Sequence, residues 1–256
     1  MTSAQRLVLL GRNIAHSRSP AYHNARFAER GLDWRYDLMP VEESELADAI
    51  AMMKGGGYRG ANVTSPYKEM VVGLMDEVSD EAARIGAVNT ILFEDGRALG
   101  YNTDIAGFRF SLRDESFLHQ PFTAAVLGTG GAARAAVDVL LGYPTLTAVS
   151  IYSRSLERAE EAARRWDNAK LRAARSSDFT PADLVVHATP VGLGDGARLL
   201  EADDLRGVDL LYEMIYHPAV TPLMEAAASA GARVKGGLEM FEAQAAESLR
   251  IWTSAH

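Results

Sequence analysis

The sequence predicts an α/β protein with two domains, and three observations support this prediction. The chain has 256 residues, enough for one large or two modest domains, and its 48% hydrophobic content is ample for a buried core. Strand-like apolar runs alternate with amphipathic helical segments along the chain. A glycine-rich turn at residues 128–131, between an apolar strand and a helix, begins a second series of such units.

The first hundred residues start with a strand and a helix, and this alternation then repeats. Ser19-Pro20 is typical of a helix start, and Gly31 is suited to end that helix. Apolar periodicity predicts strands at 7–10 and 34–39, a helix at 42–53, a strand that ends near residue 62, and a hairpin over 87–101. The hairpin turn falls at Asp95-Gly96 and should bring Asn89 close to Asn102.

From Thr123 onward the pattern is one of consecutive strand and helix units. The predicted elements are a strand to residue 127, a helix through 141, a strand at 146–152, a helix at 156–166, strands at 183–188 and 208–212, and a final helix at 239–252. The strands are almost entirely apolar and are followed by glycine or proline, which is typical of buried parallel strands. A second, parallel sheet is therefore expected.

Composition excludes several classes of function. A net charge of −8 argues against nucleic-acid binding, and the absence of cysteine excludes disulfides, thiolate nucleophiles and cysteine-ligated metals. The six histidines lack the spacing of metal ligands, so no metal site is expected. No apolar run approaches the roughly 20 residues of a membrane span, and the N-terminus lacks the apolar core of a signal peptide, so we expect a cytoplasmic protein.

A lysine and an aspartate occur among polar side chains that are unusual in a core. Lys68 is expected just inside a helix that starts after Pro66, and Asp104 begins the helix predicted at 105–112. An amine and a carboxylate together can move a proton to or from a substrate alcohol. Hydroxyl and amide groups at nearby strand ends could hold the other substrate hydroxyls; they belong to Asn62, Thr64, Asn89, Asn102 and Thr103. A polyol or hydroxy acid is the predicted substrate, although alone Lys68 would be interpreted as a surface charge and Asp104 as a helix N-cap.

The segment 126–133 has the features of a dinucleotide-binding turn. Gly128 permits a tight turn, Gly130 permits close approach of the backbone to a pyrophosphate, and the small Ala133 packs the helix on the strand. The alternative is a purely structural turn. Together with the proposed acid/base pair, this turn predicts a dehydrogenase.

The preferred cofactor is predicted from the end of the following strand. The acidic residue that usually accepts the ribose hydroxyls of NAD is absent there. Its place is taken by Ser153, Arg154 and Ser155, with Arg158 one helical turn later, and these groups suit the 2′-phosphate of NADP. The alternative is that the arginines form surface ion pairs with neighbouring glutamates.

Ordered motifs across nearly the whole chain resemble the shikimate dehydrogenase family. In the first half they are G-x-x-I-A-H-S-R-S-P at 11–20, G-A-N-V-T-S-P-Y-K at 60–68, G-A-V-N-T at 86–90 and G-Y-N-T-D-I-A-G at 100–107. In the second half they are G-T-G-G-A at 128–132, S-R-S at 153–155, A-T-P-V-G at 188–192, Y-E-M-I-Y at 212–216 and G-G-L-E-M-F-E-A-Q at 236–244. The resemblance implies NADP-dependent, reversible reduction of 3-dehydroshikimate to shikimate in the synthesis of chorismate and aromatic amino acids.

The resemblance also implies roles for individual residues. Lys68 would be the acid/base and Asp104 would orient it, while Ser17 and Ser19 would bind the substrate carboxylate. The substrate hydroxyls would be held by Thr64, Asn89, Asp104, Tyr216 and Gln244. NADP would contact Gly128, Thr129, Gly130, Gly131, Ala132, Ser153, Arg154, Ser155, Arg158, Thr189, Met214 and Gly237.

The resemblance further implies a division of labour along the chain. Residues 1–103 would form an α/β substrate-binding domain and 104–237 a Rossmann-like NADP-binding domain, with the active site in the cleft between them. Residues 238–256 would form a C-terminal helix that packs back on the substrate domain. A monomer or a homodimer is expected.

Four positions depart from the family pattern without removing a catalytic group. They are Asn13 in place of proline, Thr129 in place of alanine, Glu213 in place of aspartate and Glu239 in place of glycine. Quinate and aminoshikimate dehydrogenases carry nearly the same residues, so the substrate stays open within the family. A catalytically silent NADP-binding regulatory protein is the alternative from a different class. His16 and His23 flank the serine loop and are assigned no catalytic role.

Overall fold

The computed structural model describes residues 4–194 and 196–254, and the chain forms two compact units. The first unit comprises residues up to Ala106 together with those from Gln244 onward, and the second comprises Gly107–Ala243. Both boundaries fall within helices. The predicted α/β class is confirmed, whereas the predicted limits after residues 103 and 237 concern ligand-binding roles and stay a prediction.

The first unit is built on a mixed sheet of six strands. Its strands are β1 (Gln5–Gly11), β2 (Trp34–Pro40), β3 (Tyr58–Val63), β4 (Glu77–Val78), β5 (Thr90–Glu94) and β6 (Arg97–Tyr101). Its helices are α1 (Ser19–Glu29), α2 (Leu46–Lys54), α3 (Asp80–Ile85) and the start of α4 (Asp104–Ser111). The order is β2-β1-β3-β5-β6-β4, with β1 parallel to both neighbours and β5 antiparallel to β3 and β6.

Local sequence explains several boundaries of this unit. Pro20 lies in the first turn of α1, where the missing N–H costs nothing, and Gly31 follows this helix with φ +65°. The β5–β6 hairpin turns through Asp95 and Gly96, with φ of 51° and 72°, as a type I′ turn requires. The predicted hairpin is therefore confirmed, although its first strand begins only at Thr90.

The end of the C-terminal helix packs on the first sheet. The Trp252 ring is fully buried, and its Nε1 donates a hydrogen bond of 3.0 Å to the Ile91 carbonyl. A Cβ at Gly60 would lie 2.2 Å from that nitrogen, so only glycine fits there. The packing ties residues more than 160 positions apart and supports the predicted return of this helix.

The second unit contains an entirely parallel six-stranded sheet. Its strands are β7 (Phe122–Leu127), β8 (Leu146–Ser153), β9 (Leu171–Arg175), β10 (Leu184–His187), β11 (Leu210–Glu213) and β12 (Arg233–Gly236). Its helices are α5 (Gly131–Leu141), α6 (Leu156–Ala163), α7 (Pro222–Ser229) and the start of α8 (Leu238–Ser254). The order β12-β11-β10-β7-β8-β9 is that of a doubly wound nucleotide-binding sheet, whose connections change direction between β7 and β10.

Some predictions of local structure are wrong. Lys68 lies in a turn that leads into a short 3₁₀ helix, Met70–Leu74, because the chain must reach β4 within a few residues. The segment predicted as a helix at 42–53 starts with a 3₁₀ turn before α2. Three strands and two helices were not predicted, namely β4, β9, β12, α3 and α7. Within the described ranges, no helix has both the length and the apolar character needed to cross a membrane.

Candidate active site

Two predicted catalytic side chains form a direct ion pair in the first unit. Lys68 lies in the turn after β3, and Asp104 is the first residue of α4. Lys68 Nζ lies 2.7 Å from Asp104 Oδ2, and the two side chains are 16% and 8% exposed. A pair that is mostly shielded from water yet keeps some exposure can exchange a proton with a ligand.

Two asparagines hold the aspartate in place. Asn89 Nδ2 donates to Asp104 Oδ1 at 2.9 Å, so each carboxylate oxygen has one side-chain donor. The Asp104 N–H donates to Asn102 Oδ1 at 3.0 Å, and Asn102 in turn donates to the Ala87 carbonyl at 2.9 Å. Asp104 is thus not the N-cap suggested by its position alone, because its carboxylate oxygens bind Lys68 and Asn89.

A buried hydroxyl network continues from Asn89 towards the C-terminal helix. Asn89 Oδ1 accepts from the backbone and hydroxyl of Thr103 at 2.8 and 3.1 Å. The Thr103 hydroxyl lies 3.2 Å from Gln244 Oε1 and 3.2 Å from the Ser248 hydroxyl. Asn62 joins the same network through Ser248 at 3.1 Å. The predicted ligands Asn89 and Gln244 are therefore connected to the Lys68–Asp104 pair through hydrogen bonds.

The serine loop forms a second group in the first unit. The Ser17 hydroxyl donates to Ser19 Oγ at 3.2 Å and accepts from the Ser19 N–H at the same distance. Thr64 follows β3, and a Cβ at Gly11 would come within 2.6 Å of its methyl group. The loop after β1 thus lies against the loop after β3 at the carboxyl ends of two neighbouring parallel strands.

A buried histidine lies beneath this loop. His23 on α1 stacks on Tyr36, with ring centroids 4.5 Å apart, and the Tyr36 hydroxyl donates to Asn62 Oδ1 at 2.7 Å. Burial lowers the pKa of His23 to about 3, so its ring is neutral around pH 7. The residue fills the core beneath the polar network and carries no charge there.

The second unit places the glycine turn at the switch point of its sheet. Gly128 follows β7 with φ +117°, and a Cβ there would lie 2.9 Å from the Ala188 carbonyl. Gly130 precedes α5, and a Cβ there would meet no atom within 4 Å. The first glycine is needed for the turn, and the second leaves open space before the N-terminus of an eleven-residue helix.

The predicted 2′-phosphate residues follow β8. Ser155 caps α6 by accepting the Arg158 N–H at 3.4 Å, and its hydroxyl donates to Glu157 at 2.5 Å. Ser153 accepts the Ser155 N–H at 3.4 Å. Arg154 and Arg158 are exposed, and in the part of the chain that the structure describes neither forms an ion pair. The alternative of surface pairing with glutamates is not what the structure contains.

The remaining predicted cofactor residues lie at the ends of β10, β11 and β12. Thr189 Oγ1 lies 2.6 Å from His187 Nε2, and the Met214 N–H donates to the His187 carbonyl at 3.0 Å. A Cβ at Gly237 would lie 2.2 Å from the Met214 carbonyl, so this position also requires glycine. Tyr216, predicted to bind substrate, belongs to the second unit, where its ring stacks on Phe241 at 4.6 Å.

Sequence reasoning missed three supporting residues. Ser248 lies one turn after Gln244 on α8, and a second polar side chain on the same helix face was the available signal. Arg134 is buried on α5, and its Nε donates to the Thr129 carbonyl at 2.9 Å, which fixes the glycine turn. His187 is a polar residue at the end of an apolar strand, and its partner Glu213 was noted only as a departure from the family pattern.

Comparisons with known proteins agree with this arrangement. Residues 9–91 match the family model described as the shikimate dehydrogenase substrate binding domain. Shikimate dehydrogenase (NADP(+)) of Chlorobium chlorochromatii is 37% identical, over 99% of this chain and 93% of its own length. The corresponding enzyme of Moorella thermoacetica is 38% identical, over 96% of this chain and 87% of its own.

Solved structures of similar proteins have the same fold. Shikimate 5-dehydrogenase from Thermus thermophilus, in complex with NADP(H) and shikimate, superimposes with a TM-score of 0.87 at 35% identity. The superposition covers 98% of this chain and 94% of that structure. With matches of this identity over nearly the whole length, the chain belongs to the shikimate dehydrogenase family.

Proposed function

We propose that this protein is an NADP-dependent shikimate dehydrogenase that reversibly reduces 3-dehydroshikimate to shikimate. The observation that carries the proposal is the triad of Lys68, Asp104 and Asn89, joined at 2.7 and 2.9 Å in a chain of this family. An amine held by an ordered carboxylate is what a reversible alcohol oxidation needs for its proton. The named relatives are NADP-dependent shikimate dehydrogenases, which supports both the substrate and the cofactor.

The residues of the triad have different tasks in the reaction. In the reductive direction the Lys68 ammonium donates a proton to the carbonyl oxygen, and in the oxidative direction the unprotonated Lys68 amine takes up the proton of the ring hydroxyl. Asp104 fixes the position of Nζ, and its remaining lone pairs can accept the substrate hydroxyl. Asn89 fixes the rotamer of Asp104, so the pair is already oriented before substrate arrives.

Substrate binding is assigned to hydroxyl and amide groups. Ser17 and Ser19 offer hydroxyl donors to a carboxylate without adding another full charge near Lys68. Thr64, Asn89, Tyr216 and Gln244 would hold the ring hydroxyls. A site that hydrogen-bonds hydroxyl groups discriminates strongly against analogues that lack them.

The residues of the second unit fit NADP. Gly130 leaves open space before α5, whose N-terminal N–H groups suit a pyrophosphate. Arg154 and Arg158 are exposed beyond β8, a strand that ends on Ser153 and not on the acidic residue typical of NAD sites. When bound, NADP accepts hydride in the oxidative direction and its reduced form donates hydride in the other. Thr129, Gly131, Ala132, Thr189, Met214 and Gly237 complete the proposed contacts.

The enzyme would act in aromatic amino acid synthesis, in the cytoplasm, as a monomer or a homodimer. The direct test of this function is the initial rate of nucleotide reduction with shikimate or quinate as substrate and NADP or NAD as cofactor. We expect the highest kcat/KM with shikimate and NADP. Turnover of quinate but not shikimate would make quinate the substrate. A preference for NAD would show that Arg154 and Arg158 do not recognise the 2′-phosphate. Binding of NADPH without turnover of shikimate, quinate or aminoshikimate would identify a silent cofactor-binding protein instead.

A further inference from the structure

A buried acid–base pair lies at the ends of two adjacent strands in the second unit. His187 is the last residue of β10 and Glu213 the last of β11, and they are direct neighbours in the parallel register. His187 Nδ1 lies 2.9 and 2.8 Å from the two carboxylate oxygens, and the side chains are 1% and 0% exposed. Neither group can meet a ligand, so the pair has no direct part in the proposed chemistry.

The carboxylate of Glu213 organises the loop that follows its own strand. Its Oε1 accepts the Ile215 N–H at 3.1 Å, and its Oε2 accepts the Thr221 hydroxyl at 2.8 Å. Thr221 is also the N-cap of α7, where its oxygen accepts the Met224 N–H at 3.3 Å. One buried side chain therefore anchors both ends of the segment between β11 and α7.

The imidazole extends this anchor to the neighbouring loop. An ionised carboxylate only accepts hydrogen bonds, so His187 Nδ1 carries the hydrogen that faces Glu213. The other ring nitrogen, Nε2, lies 2.6 Å from the Thr189 hydroxyl, and Thr189 Oγ1 accepts the Val191 N–H at 3.3 Å. The loop after β10 is thereby held in one conformation.

This loop lies directly against the glycine turn. The Ala188 N–H donates to the Leu127 carbonyl at 2.9 Å, and a Cβ at Gly128 would lie 3.2 Å from the Thr189 methyl group. The ends of β7 and β10 form the switch point of the doubly wound sheet, where such folds bind their ligands. A change in the loop after β10 would therefore alter the surface that a dinucleotide contacts.

We propose that His187, Glu213 and Thr221 are positioning residues that hold the loops after β10 and β11 in the conformation that binds NADP. The inference rests on the proposed function. The three residues act through Thr189 and Met214 and touch no ligand themselves. They set cofactor affinity and leave the substrate residues of the first unit unchanged.

The test is NADPH affinity, measured by the fluorescence of the reduced nicotinamide in the full-length protein. Glu213→Gln keeps the size of the side chain but places an amide nitrogen opposite donors, so we expect the Kd for NADPH to rise about tenfold. The Kd for shikimate should rise less than the Kd for NADPH, because Tyr216 is the one proposed substrate residue that lies in these loops. Because His187 and Glu213 form one hydrogen-bonded pair, the Kd for NADPH of the double variant His187→Gln/Glu213→Gln should rise by less than the product of the two single-variant fold-changes.

The matched control is Tyr212→Phe. Tyr212 precedes Glu213 on β11, points to the other face and donates to Ser111 Oγ at 2.7 Å, so its loss removes a buried hydrogen bond away from the two loops. Should Glu213→Gln not fold, Thr221→Val, which removes one donor to the carboxylate, is expected to raise the Kd about threefold.

Two results would overturn the inference in distinguishable ways. If wild-type protein binds NADPH and the Glu213 and Thr221 variants bind it as tightly as Tyr212→Phe does, the positioning role is wrong and the proposed function stands. If wild-type protein binds no NADPH, the proposed function is wrong as well.

Discussion

Two acid–base pairs with nearly equal N–O distances lie near strand ends in the two units, and they differ in exposure. Lys68 and Asp104 are 2.7 Å apart with side chains 16% and 8% exposed, whereas His187 and Glu213 are 2.8 Å apart and 1% and 0% exposed. A proton donor must reach its ligand, so the first pair can carry chemistry and the second cannot. The N–O distance alone would not have distinguished the two pairs.

The surroundings of the two carboxylates reinforce this contrast. Asp104 has one side-chain donor on each oxygen, which leaves lone pairs for a substrate hydroxyl. Glu213 has the His187 ring, a backbone N–H and the Thr221 hydroxyl around it in a sealed site. The open pair, Lys68–Asp104, can therefore still accept hydrogen bonds from a ligand. The sealed pair, His187–Glu213, is hydrogen-bonded within the fold.

The largest expected effect is on turnover in the open pair. Lys68→Ala removes the proton donor and acceptor, so we expect kcat to fall by about 10²–10⁴-fold while the KM for shikimate changes little. The measurement is steady-state NADPH formation. Lys54→Ala is the matched control, because Lys54 also pairs with an aspartate, Asp76, at 2.7 Å but lies away from the polar cluster. Equal kcat values in the two variants would remove Lys68 from the mechanism.

The next effect concerns stability and distinguishes the sealed pair. His187→Ala leaves the Glu213 carboxylate buried without its main partner, so we expect a loss of about 3–5 kcal/mol in the free energy of unfolding. Lys54→Ala, in a partly exposed pair, should cost far less. Urea unfolding followed by circular dichroism measures both. A loss for His187→Ala as small as that for Lys54→Ala would show that the sealed pair is dispensable.

His23 is a buried histidine without a carboxylate partner in the described part of the chain. The folded-state pKa of His23, about 3, lies below its ordinary value of 6.5, so the unfolded chain binds the proton more tightly. The stability that neutral His23 contributes is full above about pH 6.5 and is lost as pH falls towards about 3.

His23→Phe tests this pH dependence. Between about pH 7 and about pH 5 the wild type should lose about 2 kcal/mol of unfolding free energy that the variant retains. Denaturant unfolding of both proteins at both pH values measures the difference. The difference in unfolding free energy between the two proteins at about pH 7 gives the effect of altered packing alone. Parallel pH profiles for the two proteins would show that His23 is not the group responsible.

The smallest effect concerns two charges that form no ion pair among the described residues. Replacing both Arg154 and Arg158 with alanine should raise the KM for NADP about tenfold and leave the KM for NAD nearly unchanged. Arg164→Ala, at the other end of α6, is the matched control. Initial rates with both nucleotides give the comparison, and an equal change for NADP and NAD would contradict recognition of the 2′-phosphate.

The sequence could predict most strands and helices because their apolar periodicity is local. β9, with the sequence LRAAR, escaped prediction because its charged residues hide the apolar alternation. Lys68 and Asp104 could be recognised because each lies within a dense polar motif. Ser248 could not be linked to Thr103, 145 positions away, because their contact depends on how α8 packs.

The sealed pair was missed for a related reason. His187 and Glu213 are 26 positions apart, and only the order of the parallel strands makes them neighbours. A polar residue at a strand end signals a site at that sheet edge. It does not say whether the side chain faces a ligand or a second buried residue.

In the proposed mechanism the open pair performs the chemistry and the sealed pair positions the cofactor. The most direct test is the single-turnover rate of NADPH formation at saturating shikimate and NADP in Lys68→Ala and in Glu213→Gln. We predict a rate at least about 100-fold below wild type in Lys68→Ala and within about threefold of wild type in Glu213→Gln, whose defect saturating NADP overcomes. A wild-type rate in Lys68→Ala, or an equal slowing of both variants, would contradict the account.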